Sequence, residues 1–298
     1  MNTYSITQVE TLTRISAHKL RVWERRYDII KPLRTESNIR YFSDSQLKKL
    51  LNVGILNRNG IKVSKINQMT IEEINRKAHK IISSINPKIQ DEIDALIIAM
   101  IEFDEKEFNL LFKKCYSRIG FLNSLLDVMY PFLKQIGLLW TTNQVNISQE
   151  HFMSNLIRQK LISEIDKLPL PKENAPIIVL FLLENDNHEI GLLLSNYIAK
   201  NAGWKVIYLG QGYPIEQLQQ LVDQAKPDII QTFTVTPKNS EELKKTARFL
   251  KVTPPTQLII SGNNLELLKL DNFHEIIHIK TPNDLISFLE QNIASSKQ

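Results

Sequence analysis

The spacing of apolar residues changes twice along the chain. Up to about residue 80 the apolar positions fall into short helical stretches broken by polar residues. From 88 to 167 they recur at i, i+3 and i+4, and beyond 176 they gather into short unbroken runs. In the first region Thr7 to Glu10 has capping-box spacing and predicts the start of a short helix. Ser16 is placed to cap a second helix ending near Tyr27, and Pro32 stops any further helix there. Arg34 to Phe42, with Ser37-Asn38 at its middle, reads as a small hairpin. Ser43 with Gln46 predicts a third helix that carries Leu47, Leu50 and Leu51 and ends before Gly60. Ser64 and the Thr70/Glu73 pair predict further short ones.

In the second region Ile93, Leu96, Ile97, Met100 and Ile101 line one helical face. Asp104 with Glu107 caps a helix bearing Phe108, Leu111 and Phe112. Two longer stretches, about 119–139 and 148–167, flank a polar break at Thr141 to Gln144, so four helices predict a bundle. Three prolines between Leu168 and Pro176 predict a stiff linker. Five strand candidates follow: Ile177–Leu183, Lys205–Leu209, Asp228–Val235, Gln257–Ser261 and Glu275–Ile279. Helical patterns lie between them, which predicts an open parallel sheet covered on both faces. The expected organisation is 1–80 as a head of short helices and a hairpin, 88–167 as a four-helix bundle and 176–298 as an α/β domain.

Composition narrows the function. No apolar run is long enough to span a bilayer, and the N-terminus has no secretory pattern, so a cytoplasmic protein without membrane contact is expected. One cysteine, Cys115, excludes an internal disulfide framework and argues against a cysteine-built zinc site. The formal net charge is +5, but residues 1–80 hold 16 Lys/Arg against 7 Asp/Glu, while the rest holds 21 against 25. A basic first quarter on a slightly acidic body suits a nucleic-acid-binding head, since phosphate neutralisation needs local positive charge.

Helix, tight turn, helix and hairpin is the plan of a winged helix-turn-helix. The second helix carries His18, Lys19, Arg21, Arg25 and Arg26, with Arg21 and Arg25 four apart on one face, while Leu20 and Trp23 read as core. Arg34 and Arg40 of the hairpin can grip the phosphate backbone, and Tyr41 suits either the core or a phosphate contact. Tyr4-Ser5-Ile6, Leu20 to Tyr27, Pro32-Leu33-Arg34 and Arg40 to Ser43 together resemble the DNA-binding domain of MerR-type regulators. That resemblance implies a dimer on a pseudo-palindromic, double-stranded operator, with contact to RNA polymerase. No sustained heptad is present, so self-association must arise elsewhere.

In an open parallel sheet, ligands meet the carboxyl ends of strands near the switch in strand order. The first strand ends at Leu183, and Asp186, His188 and Gly191 follow. His188 is therefore well placed to meet a ligand, and Asp186 can accept its ring proton and so strengthen the other nitrogen as a metal donor. Asp-x-His-x-x-Gly resembles the cobalamin-binding domain of methionine synthases and base-off mutases, a flavodoxin-like (Rossmann-type) fold. The resemblance implies that His188 becomes the lower axial cobalt ligand. It also implies that Thr234 and Thr236, at the end of the third strand, and Ser261 and Gly262, at the end of the fourth, line the nucleotide tail. Three departures bear on affinity: threonine replaces the first serine, one glycine of the Gly-Gly pair has become serine or asparagine, and Glu184-Asn185 stand before Asp186 where smaller residues are expected.

Trp140, then nine residues, then Glu150-His151 forms a second constellation, which read alone is a core tryptophan and a solvated pair. In the order head, bundle and cobalamin domain, it resembles the light-sensing repressors of carotenoid genes, the CarH/LitR group. That implies adenosylcobalamin as cofactor, with Trp140 over its upper face, Glu150 on the adenosyl group, and His151 on cobalt after light breaks the cobalt–carbon bond. It further implies an oligomer, dimer or tetramer, that represses in the dark and leaves DNA on photolysis. Three alternatives stay open. They are a cobalamin regulator blind to light, a regulator using the fold only for protein contact, and a corrinoid methyltransferase or mutase subunit, against which the DNA-binding head argues.

Overall fold

A computed structural model describes residues 2–140, 147–183, 188–233, 256–262 and 276–295. The chain divides into two compact units, Met1–Leu156 and Ile157–Gln298.

The first unit opens with β1 (Thr3–Ser5), α1 (Ile6–Thr13) and α2 (Ala17–Tyr27), then a hairpin of β2 (Leu33–Arg34) and β3 (Arg40–Ser43). The three strands form an antiparallel sheet in the order β1-β3-β2. Local chemistry accounts for most boundaries. Ser5, not Thr7, caps α1: its hydroxyl accepts from the Gln8 amide, and the Gln8 side chain returns the bond to the Ser5 amide. The Thr7–Glu10 spacing thus lies two residues too far along, because Ser5 passes directly from strand to helix. Arg14 and Asp28 end α1 and α2 in the left-handed conformation, and Asn38 (φ 65°) turns the hairpin.

Next come α3 (Asp44–Arg58), α4 (Val63–Ile66) and α5 (Ile71–Ile82). Ser43/Gln46 and Thr70/Glu73 form reciprocal capping boxes on α3 and α5. The short α4 begins after Lys62 with no side-chain cap, so the capping expected of Ser64 does not occur. Leu47, Leu50, Leu51, Val53, Ile55 and Leu56 are all sealed from solvent, which makes α3 the central helix of this unit.

The bundle follows: α6 (Ile89–Glu102), α7 (Glu105–Ile119), then α8 (Phe121–Asn123) running through a π-helical stretch (Ser124–Met129) into α9 (Tyr130–Trp140), and α10 (Ile147–Asp166). Asp104 caps α7 by accepting from the Glu107 amide at 2.9 Å. Several polar links tie the bundle to the head, among them the following. Arg58 of α3 reaches Asp91 and Asp94 of α6. Gln135 of α9 donates to the carbonyls of Thr11 (3.2 Å) and Leu12 (2.9 Å). Lys48 pairs with Glu102.

The second unit holds β4 (Ile177–Leu183), α11 (Glu189–Asn201), β5 (Lys205–Tyr213), α12 (Ile215–Ala225), β6 (Ile229–Phe233), β7 (Gln257–Ser261), β8 (Ile276–Ile279) and α13 (Pro282–Ser295). All five strands are parallel, in the order β5-β4-β6-β7-β8. Counted within the unit this is 2-1-3-4-5, so the strand order reverses between β4 and β6, where such sheets hold ligands. Six of the seven residues of β4 are buried, as a central parallel strand requires. Leu218, Leu221 and Val222 of α12 pack on one face of the sheet against Val179, Phe181, Ile230 and Leu258. On the other face Gln231 meets Ser195 of α11, and Trp204, wholly buried, donates its indole N–H to the Leu289 carbonyl of α13. Among the described residues no helix is long and apolar enough to cross a membrane.

Candidate functional site

The head presents its cations from α2. The Ser16 hydroxyl accepts from the Lys19 amide at 3.3 Å and fixes the first turn. From that start Leu20 and Trp23 point into the core, while His18, Lys19, Arg21, Arg25 and Arg26 are exposed. Such a helix offers donors and charge to a major groove and its phosphate rims. Glu24 stands within this basic run, and sequence reasoning passed over it. It accepts from Arg40 Nε (2.9 Å) and from an Arg34 terminal nitrogen (3.1 Å), while Arg34 also donates to Asn38 Oδ1 (2.7 Å). One carboxylate therefore holds both wing arginines against α2, and two cations on one anion leave a surplus positive charge at the wing. Tyr41 is half-buried and lies opposite Ser5 on one side and Leu33 on the other. The signal for Glu24 was an acidic residue among four Lys/Arg residues, but its partners lie 10 and 16 residues on.

In the bundle, Trp140 is the last residue of α9, and its side chain lies outside the described set. Glu150 and His151 stand in the first turns of α10. His151 Nδ1 lies 3.4 Å from Glu150 Oε2, with His151 exposed and Glu150 half-buried. The adjacent Gln149 is buried and donates to the Ile101 carbonyl at 3.3 Å, which anchors this end of α10 on α6.

In the sheet unit, His188 immediately precedes α11 and is half-buried at the carboxyl edge beside the strand-order switch. Asp186, Thr234 and Thr236 lie outside the described residues. Glu189, the first residue of α11, accepts from Arg158 Nε (2.5 Å) and from the Tyr208 hydroxyl (3.0 Å). Burial first, and the neighbouring Glu189 carboxylate second, push the Tyr208 hydroxyl well above its ordinary value, so it stays a donor. Glu189 is thereby held from two sides, which fixes the backbone next to His188.

Beneath this edge lies a polar layer that the sequence reading missed. Gln231, wholly buried in β6, donates Nε2 to Ser195 Oγ (3.0 Å) and Ser261 Oγ (2.8 Å). Ser195 in turn donates to the Gly191 carbonyl at 3.1 Å. The layer thus brings Gly191 and Ser261 into one network. Among the described residues Gln231 Oε1 has no partner, an uncommon state for a buried oxygen. Gly262 takes φ 139°, a conformation that favours glycine, and its carbonyl accepts from His278 Nε2 at 3.2 Å. A glutamine inside an otherwise apolar strand, Ile229 to Phe233, was the available signal. An imidazole at the rim above a buried amide, two hydroxyls and an orphan acceptor fits a ligand that brings both a metal and a polar appendage.

Residues 4–73 match the MerR HTH family regulatory protein family, and residues 92–162 match a B12 binding domain. Over 264 residues the chain is 25% identical to the HTH-type transcriptional repressor CarH of Myxococcus xanthus, covering 86% of this chain and 87% of that one. It is 28% identical over 270 residues to the repressor CarA of the same organism, covering 87% and 86%. The head alone is 34% identical over 73 residues to the HTH-type transcriptional regulator MlrA of Escherichia coli, covering 24% of this chain and 30% of that one. In fold, the chain resembles the Methanosarcina barkeri monomethylamine corrinoid protein, with TM-score 0.59 at 14% identity, over 69% of this chain and all of the other.

Proposed function

From a chain that carries a MerR HTH domain and a B12 binding domain and is homologous to the repressors CarH and CarA, we propose an adenosylcobalamin-dependent, light-responsive transcriptional repressor. It works in the cytoplasm, binds its operator in the dark as a homo-oligomer, and lets go after photolysis. The observation that carries the proposal is His188 at the strand-order switch, above the Gln231–Ser195–Ser261 layer, in a chain whose other end exposes a basic recognition helix. The named relatives are transcriptional regulators, so the reading is of a sensor and not an enzyme.

The work divides among 1–80 for DNA, 88–167 for capping the cofactor and 176–298 for binding it. Bound adenosylcobalamin would supply a cobalt–carbon bond that visible light cleaves. His188 would hold the metal through a ring nitrogen, and Asp186 would orient that ring. Gly191, Thr234, Thr236, Ser261 and Gly262 line the appendage. Trp140 and Glu150 would shape the space for the adenosyl group, and His151 would offer the metal a further nitrogen. His18, Lys19, Arg21, Arg25 and Arg26 read and grip the operator, with Arg34, Arg40 and Tyr41 on the flanking phosphates. RNA polymerase is the further protein partner at the promoter.

The switch is a shift of populations. A ligand moves an equilibrium only by its differential affinity for the two states, so the adenosyl-loaded form must favour assembly. Assembly then raises operator affinity because linked heads act at high effective concentration. Size-exclusion chromatography with adenosylcobalamin, in the dark and after green light, tests this with the absorbance spectrum recorded. Co-elution and a smaller particle after light are expected. Co-elution with no change in size makes the protein a light-independent cobalamin regulator, and no co-elution removes the cofactor from the reading.

A further inference from the structure

Gly191 sits in the first turn of α11, facing the end of β6. A Cβ built on it would lie 2.6, 2.7 and 2.9 Å from three carbons of the Phe233 ring, so the ring rests directly on the glycine backbone. Alternation along β6 puts Phe233 on the same face as Gln231, the face covered by α11. The ring therefore roofs the polar layer at the mouth between helix and sheet, on the side where His188 stands.

This placement bears on which corrinoid can enter, an inference that rests on the cobalamin reading above. When a protein imidazole takes the lower face of cobalt, the cofactor's own base must leave the metal, and its nucleotide arm must lodge close to that imidazole. Beside His188, between α11 and β6, the polar groups of Gln231, Ser195 and Ser261 are able to receive such an arm. Phe233, packed on Gly191, stands at the edge of that polar layer. We infer that Phe233 is a specificity residue that discriminates against the lower nucleotide, so that the chain takes corrinoids lacking the nucleotide more readily than complete cobalamin. A complete cobalamin must displace the ring from Gly191, and a nucleotide-free corrinoid need not. The polar layer below fits a short polar substituent such as the amide arms of the corrin ring.

The test is titration of the purified full-length protein with hydroxocobalamin and with diaquocobinamide, its nucleotide-free counterpart, followed by the absorbance change and by calorimetry. Wild type is expected to bind cobinamide at least tenfold more tightly. Phe233→Ala should tighten cobalamin about tenfold and move cobinamide less than twofold, and Phe233→Leu, which keeps bulk, should behave like wild type. Comparing variants cancels the intrinsic cost of taking the base off cobalt. A wild type that prefers cobalamin tenfold overturns the inference without recourse to any variant. So does a Phe233→Ala protein, folded by circular dichroism, that shifts both corrinoids equally or neither. Uptake of neither corrinoid by any variant, with operator binding intact, is a different result: it removes the cobalamin reading itself and the inference with it.

Discussion

Arg58, in the last turn of α3, donates Nε to Asp91 Oδ1 of α6 at 2.9 Å. The same guanidinium pairs with Asp94 one turn further along, and Gly54 leaves room for it, since a Cβ there would stand 3.3 Å from an Arg58 terminal nitrogen. Asn59 Nδ2 and Gln90 Nε2 supply the remaining donors to the two carboxylates. Both carboxylates are fully buried. The bundle is thus fastened to the central helix of the head by an ionic joint as well as by the chain itself.

Removing Arg58 strands two buried carboxylates. Arg58→Met should cost about 3–5 kcal/mol of stability, the usual range when one partner of a buried pair is lost. Asp94 adds a pH signature. Burial first pushes its carboxyl up to about 7, with Arg58 and Gln90 pulling the other way. A carboxyl raised above its ordinary 3.8 binds its proton more tightly in the folded chain. Its contribution is therefore complete below about pH 4 and is lost as pH rises through about 7. Asp94→Asn keeps the neutral form throughout, so its thermal midpoint should exceed wild type at pH 8 by a few degrees and converge with it near pH 4. A constant difference across that range would remove Asp94 as the titrating group.

At the DNA face, Glu24 and the arginines it holds should separate by salt dependence. Arg40→Ala is expected to weaken binding to all sequences alike and to reduce the slope of log K against log salt by about one, as loss of one phosphate contact does. Glu24→Ala leaves both wing cations in place, so its slope should not fall. Its operator affinity should drop relative to random DNA instead, because the wing is no longer tied to α2. Fluorescence anisotropy over a salt series distinguishes the two, and a reduced slope for Glu24→Ala would contradict a positioning role.

The sequence made the local devices plain and the distant ones opaque. Ser16, Ser43/Gln46, Thr70/Glu73 and Asp104 cap helices within four residues of themselves, so spacing alone reveals them. The central strands β4, β6 and β7 were visible as apolar runs, because the middle of a parallel sheet is buried on both faces. Asp91 and Asp94, by contrast, belong to the polar positions that an amphipathic reading of α6 assigns to solvent. Their burial depends on Arg58, 33 and 36 residues away. The same holds for Gln231, whose partners come from α11 and β7, and for Phe233, whose position against Gly191 depends on the crossing of a helix over a strand. Spacing placed His188 and Gly191 at the sheet edge, but periodicity does not report what fills the space beside them.

Gln231 offers a way to separate support of the fold from service to a ligand. A buried side-chain amide normally satisfies both its ends, and here only Nε2 is satisfied. Replacing it with methionine removes two hydrogen bonds worth about 1 kcal/mol each, and also removes the orphan oxygen, whose desolvation costs about 1–3 kcal/mol. The two effects oppose, so Gln231→Met should unfold within a few degrees of wild type. If Oε1 is held ready for a polar group of the corrinoid, the same substitution should weaken corrinoid binding about tenfold, since one buried hydrogen bond is lost with no water to replace it. Thermal unfolding without cofactor and calorimetric titration with cobinamide measure the two separately. A large fall in midpoint with unchanged affinity would make the amide a fastener between α11 and the sheet through Ser195 and Ser261. A preserved midpoint with weakened binding would make the orphan oxygen part of the binding site.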